Sequence, residues 1–197
     1  SLLGEIQSGH LEQVGYDTYC NLLDEVVKEM KGIEIQEDAD LQIDLNVSSY
    51  IPEEYISDSS QKIEIYQDIA LCKNEKDIQD VTDEIIDRFG NPPKEIENLL
   101  DVARIKYLAK PLHITKIQSK KTAVIFTFGN NKINIDLNKL VEKYGTKIKF
   151  SAGIKPLITL EIGTTNERQI LNDTTEFFRD VSNWTIFVQK GQTSKSI

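Results

Sequence analysis

Residues 74–110 read NEKDIQDVTDEIIDRFGNPPKEIENLLDVARIKYLAK, and the way this stretch divides decides the fold. Asn74 offers a side-chain oxygen to cap a helix. Asp77, three residues on, places negative charge in the first turn, where it suits the helix dipole. Ile78, Val81, Ile85 and Phe89, with Ile86 beside them, recur at the spacing of one helical face. Gly90 supplies a left-handed stop, and Pro92-Pro93 cannot continue the helix. A second helix is expected to begin at the proline and to bury Ile96, Leu99, Leu100, Ala103 and Tyr107. The stretch is two helices joined at 90–93.

The other face of the first helix is acidic. Asp77, Asp80, Glu84 and Asp87 fall at i, i+3, i+7 and i+10, so four carboxylates share one stripe. Like charges so spaced cost roughly a few tenths of a kcal/mol per pair, so the stripe works slightly against the helix. Two readings stay open: a solvated face, or a docking surface for a partner bearing Arg or Lys. A single metal ion does not fit, because ten residues of helix span about 15 Å and the carboxylates diverge.

Working outward, residues 16–31 carry a helical apolar face (Tyr16, Tyr19, Leu23, Val26, Val27, Met30) that Gly32 ends. Residues 33–41 are acidic and irregular, and are expected to link. Residues 42–47 alternate, with Ile43, Leu45 and Val47 on one side, which predicts a strand. Pro52 ends it in a turn. Asp58 then starts a helix running to about Cys72, with Ile63, Tyr66, Ile69 and Ala70 facing inward.

Beyond residue 110 the period switches from 3.6 to 2. Strands are expected at 113–118, 123–128, 132–135, 147–150 and 157–162, with a hairpin turn at Gly129-Asn130-Asn131. The lysines of 147–150 mark an edge strand and discourage unwanted pairing. Short helices are expected over 137–144, closed by Gly145, and from a cap at Asn166 to about 181, burying Ile170, Leu171, Thr174, Phe177 and Phe178. Trp184 is expected against the sheet rather than exposed. Helices followed by a small mixed or antiparallel sheet and a C-terminal helix make the class α+β.

Composition narrows the function. The 197 residues are 39% hydrophobic and 28% charged, as in ordinary globular proteins. No apolar run is long enough to cross a membrane, and no basic-then-apolar leader opens the chain. Cys20 and Cys72 stand far apart with only His10 and His113 as other soft ligands, which fits a reducing, cytoplasmic setting better than zinc or a disulfide. The net charge of −9 is unevenly spread. Residues 1–110 hold 25 Asp and Glu against 10 Lys and Arg, whereas 111–197 hold 7 against 13. The acidic half repels phosphates and suits a basic protein partner. The basic half, over 116–155, leaves an accessory nucleic-acid contact as the alternative function.

No catalytic constellation emerges. Gly4 and Gly9-His10 lack the Lys-Ser/Thr ending and the preceding strand of a phosphate loop. Ser8 and His10 have no carboxylate partner, and Cys72 sits at a helix C-terminus, where the dipole disfavours a thiolate.

The run EIIDRFG (84–90), then Pro-Pro and LLDVARIK (99–106), closely resembles the C-terminal region of the transcription-repair coupling factor family. LLGEIQSGH (2–10) and VGYDTYCNLLDEVV (14–27) resemble the end of that family's translocase module. IDLNVSSYIPEEYISD (43–58) and IEIYQDIA (63–70) resemble the entry to its C-terminal domain. The resemblance is strong over about 2–110 and weaker to about 188.

It implies 1–32 as the end of the translocase module with a connecting helix and 42–188 as a C-terminal regulatory domain; from composition, 33–41 is expected to be linker and 189–197, small and polar, a disordered tail. It further implies autoinhibition: docking on the UvrB-like N-terminal module of the same protein, which hides the UvrA-recruiting surface and restrains an ATP-driven DNA translocase until it meets a stalled RNA polymerase. Glu84 and Asp87 match family positions facing that partner; Asp80 and Asp77 share their stripe. Arg88 and Phe89 are expected to serve local packing. Gln7 matches a translocation-motif residue, detached here from any ATP-binding motif. ATP and magnesium belong to the whole translocase, so this chain is expected to be no enzyme, to carry no cofactor, and to act as a monomer. Contacts with UvrA, RNA polymerase and double-stranded DNA would be indirect.

Overall fold

A computed structural model describes residues 41–129 and 135–185. Five strands form one mixed sheet in the order β1-β2-β3-β5-β4. The strands are β1 (Gln42–Asp44), β2 (Ile114–Lys120), β3 (Ala123–Phe128), β4 (Ile148–Ser151) and β5 (Leu157–Glu161). β1 runs parallel to β2, and every other pairing is antiparallel. A parallel neighbour needs a long crossover. Here three helices supply it: α1 (Ser59–Ala70), α2 (Glu75–Phe89) and α3 (Lys94–Ala109). Two more helices, α4 (Leu137–Tyr144) and α5 (Glu167–Asn183), complete an α+β fold.

The helices start where side chains cap them. Asp58, Asn74, Asp136 and Asn166 each accept backbone N–H bonds from the first turn of the following helix. Asp77 reciprocates at α2, its Oδ2 accepting from the Lys73 N–H at 2.9 Å. Gly90 closes α2 at φ +86°, and Pro93 precedes α3.

One face of the sheet carries the core. Val124, Phe126 and Phe128 of β3 and Ile158 and Leu160 of β5 are buried on it with Ile117. Phe126 stacks on Phe177 of α5 at 4.7 Å between centroids and meets Phe178 edge-on at 5.0 Å. α3 is the central helix, buried along Ile96, Leu99, Leu100, Val102, Ala103 and Ile105 and packed on α5. The opposite face of the sheet holds Lys116, Gln118, Ile125, Thr127, Lys149 and Thr159, none of them fully buried.

Several expectations shift by a residue or two for local reasons. The strand expected from 113 begins at Ile114, because His113 takes a left-handed φ of 57° at the end of a 3₁₀ turn, Lys110–Leu112. The strand expected over 42–47 pairs only through Asp44, although Leu45 and Val47 still pack on the core. In α1, Ile65 is buried outright where Ile63 only packs against the core, and Tyr107 of α3 is likewise half-buried. Ile86 is exposed. Trp184 is half-buried and packs against the core. The expected turn at 129–131 and strand at 132–135 fall largely outside the described residues; Ile135 forms an isolated bridge with Thr185. The helix expected over 16–31, Gln7, and the linker and tail at 33–41 and 189–197 also lie outside them, Leu41 excepted. Among the described residues no helix is long and apolar enough to cross a membrane.

Candidate interaction face on the second helix

α2 buries Ile78, Val81 and Ile85 and turns its carboxylate stripe outward. The four stripe residues do not share one environment. Asp77 is half-buried and committed to the cap at Lys73. Glu84 is half-buried and accepts from Arg88 Nη1 at 3.1 Å. Asp80 and Asp87 are exposed, with no hydrogen bond or ion pair among the described residues.

The stripe does not end with α2. α1 lies alongside and brings Glu64 and Asp68 to Glu84, so that one carboxylate oxygen from each lies within 4.8 Å of the others. Linear spacing along α2 could not reveal this, because the added acids come from a different helix. Arg88 lies across the cluster, its Nη1 3.2 Å from Glu64 and 3.1 Å from Glu84, with the guanidinium carbon 5.0 Å over the Phe89 ring. Phe89 in turn tilts against Tyr55 at 6.0 Å, and the Tyr55 hydroxyl donates to the Gly90 carbonyl. Partial burial pushes the Asp68 carboxyl above the usual carboxylate range, and the charges of Glu84 and Glu64 push it further against the pull of Arg88. The crowded acids on this face thus oppose the ionisation of Asp68.

A second polar assembly went unseen in the sequence. Asn98, Asp101 and Arg104 interrupt the buried run of α3, and mixed signs at that spacing resemble an ordinary wet face. They form a continuous network instead. Glu167 of α5 accepts from the Ser48 N–H at 2.8 Å and from Asn98 Nδ2 at 3.1 Å. Arg168 Nη1 donates to Asn98 Oδ1 at 3.1 Å and to Asp101 Oδ2 at 2.7 Å. Arg104 donates to Asp101 at 2.5 Å and grips Glu75 in the first turn of α2 at 2.7 and 2.8 Å. The Tyr107 hydroxyl adds a 2.9 Å bond to Glu75. The Arg104 bond holds Glu75 below its ordinary pKa, whereas burial and Glu75 push the Tyr107 phenol up to about 12. This network fixes the start of α2, and with it the direction in which the acidic stripe points.

The remaining candidates carry less. The Cys72 thiol donates to the Asp68 carbonyl, and burial pushes its pKa up to about 11, away from thiolate chemistry. His113 is exposed at the start of β2. The lysines of 116–155 are spread over several faces: Lys116 and Lys149 on the uncovered side of the sheet, Lys139 and Lys143 on α4, with Lys143 bonded to Glu176 and Asp180.

The fold and these residues define a TRCF domain: the family model of that name matches residues 45–140. The Bacillus subtilis (strain 168) transcription-repair-coupling factor is 38% identical over 153 residues, covering 75% of this chain and 13% of that protein. That of Staphylococcus haemolyticus is 40% identical over 122 residues, covering 61% and 10%. The chain thus belongs to the transcription-repair-coupling factor family, and matches between about a tenth and an eighth of the length of these curated relatives. A solved C-terminal domain of transcription-repair coupling factor shares the fold, with a TM-score of 0.65 at 21% identity over 74% of this chain and 94% of that one.

Proposed function

We propose that this domain is a regulatory latch within a transcription-repair coupling factor. The acidic face of α2, widened by α1, docks on the UvrB-like module, covers the surface that recruits UvrA, and restrains ATP-driven movement on DNA. The observation that carries this reading is the state of Asp80 and Asp87. They stand exposed beside Glu84 on a helix anchored at both ends, with no cation bonded to either among the described residues. By contrast, Glu75, Asp101, Glu167 and Asp180 are all engaged inside the domain. The rigid face thereby keeps its charge for a partner.

The energetics suit a switch. Truncating one side of a charge-assisted pair at a partly dry interface costs about 2–5 kcal/mol, so a few pairs set a closed state that a competitor can open. The test is the ATPase rate of full-length protein carrying Glu84→Arg and Asp87→Arg. Release of the latch predicts a severalfold rise without RNA polymerase; an unchanged rate would remove the restraint from this face.

A further inference from the structure

The last strand of the sheet, β4, has β5 on one side and no strand on the other among the described residues. Among the described residues six large apolar side chains are exposed, and four of them belong to β4, the loop after it, or the helix that packs against it. Leu137 (40% exposed) and Val141 (53%) lie one turn apart on α4, which packs against β4; Phe150 (42%) is in β4 itself, and Ile154 (95%) is in the loop that follows.

The edge has two chemically different sides. Phe150 pairs with Ile158 and Ile148 with Leu160, so both point to the helix-covered side, and α4, which carries Val141 and Leu137, packs against this strand. Lys149 pairs with Thr159 and points to the uncovered side. Lys147 and Lys155 flank the strand; all three lysines are exposed and carry no ion pair among the described residues. Lysine at a sheet edge repels a like-charged strand, including the same edge of a second copy. It attracts a strand whose matching side chains are carboxylates.

The geometry points to β4 as a docking edge for an extended segment of a partner protein in which acidic and apolar residues alternate. Such a segment hydrogen-bonds the open backbone edge, sets its carboxylates against Lys149 with Lys147 and Lys155 at the ends, and sets its apolar side chains beside Phe150 and Val141. Strand addition takes affinity from the backbone and selectivity from every second side chain, and both are offered here. This site lies on α4 and β4, not on the acidic helices, and does not depend on the latch.

The test uses the isotope-labelled chain titrated with a capped octapeptide of alternating valine and glutamate, and with its valine–lysine counterpart. The glutamate peptide is expected to shift the amides of 148–151 with a dissociation constant below about 1 mM, and the lysine peptide to leave them in place. Lys149→Glu is expected to invert that preference, a gain no unfolded variant could show. Phe150→Ser is expected to weaken the glutamate peptide about tenfold. Equal response to both peptides, shifts confined to other elements, or a preference unaltered by Lys149→Glu would overturn the proposal. A single-stranded oligonucleotide that displaces the glutamate peptide from 148–151 would assign the edge to nucleic acid instead.

Discussion

Asp101 receives two guanidinium groups, from Arg104 at 2.5 Å and Arg168 at 2.7 Å, in a position with a side chain only 12% exposed. Removing it leaves Arg168 with no carboxylate partner among the described residues and Arg104 with Glu75 alone, so Asp101→Ala is expected to lower stability by about 3 kcal/mol in urea titrations, without changing the slope. Glu75 makes a pH prediction. Its folded-state pKa lies below the ordinary value, so its contribution is complete above about pH 5 and fades as pH falls through the ordinary and then the lowered value. Stability measured between neutral pH and pH 3 should therefore drop more steeply in the wild type than in Glu75→Gln. These residues were not legible as a network. Asn98, Asp101 and Arg104 were plain in the sequence, but their partners Ser48, Glu167 and Arg168 come from distant chain, and only the packing of α3 on α5 joins them.

Elements were legible where one local signal decided them. α2 runs from its Asn74 cap to Gly90 as periodicity and capping indicate, and β3 and α4 match their expected bounds. Boundaries slipped where backbone shape, not side-chain pattern, set the end, as at His113. The two-residue turn between β2 and β3 was missed because Lys121 takes a φ of 54° that sequence readers expect of Gly or Asn. Gly90 tests the α2 terminus. A Cβ there would meet nothing within 4 Å, so Gly90→Ala costs only backbone strain at φ +86°, about 2 kcal/mol by thermal or chemical unfolding. Asn74→Ala should cost about 1 kcal/mol through the lost cap. In the core, Phe177→Ala removes the ring stacked on Phe126 and should cost about 3–5 kcal/mol.

For the whole molecule, the charge division seen in the sequence becomes a division of surfaces. The described part of the acidic half, residues 41–110, forms the helical crossover and presents the face of α1 and α2, while the described lysines beyond it scatter over the sheet and α4. The stripe itself was legible from spacing alone. Its breadth was not, since Glu64 and Asp68 reach Glu84 only through the packing of α1 on α2. That crowding gives docking its own pH dependence. Asp68 holds its proton above the usual carboxylate range, so the face loses charge early on acidification. Affinity for a basic partner should therefore weaken on acidification earlier than ordinary carboxylates alone would cause, and Asp68→Asn should flatten that profile.

The central claim is tested most directly by the affinity of this chain for the UvrB-like module of a full-length transcription-repair coupling factor, measured for the wild type and for Glu84→Arg with Asp87→Arg. The latch predicts measurable binding by the wild type and at least about tenfold weaker binding after charge reversal. Equal affinity of the two forms would contradict it.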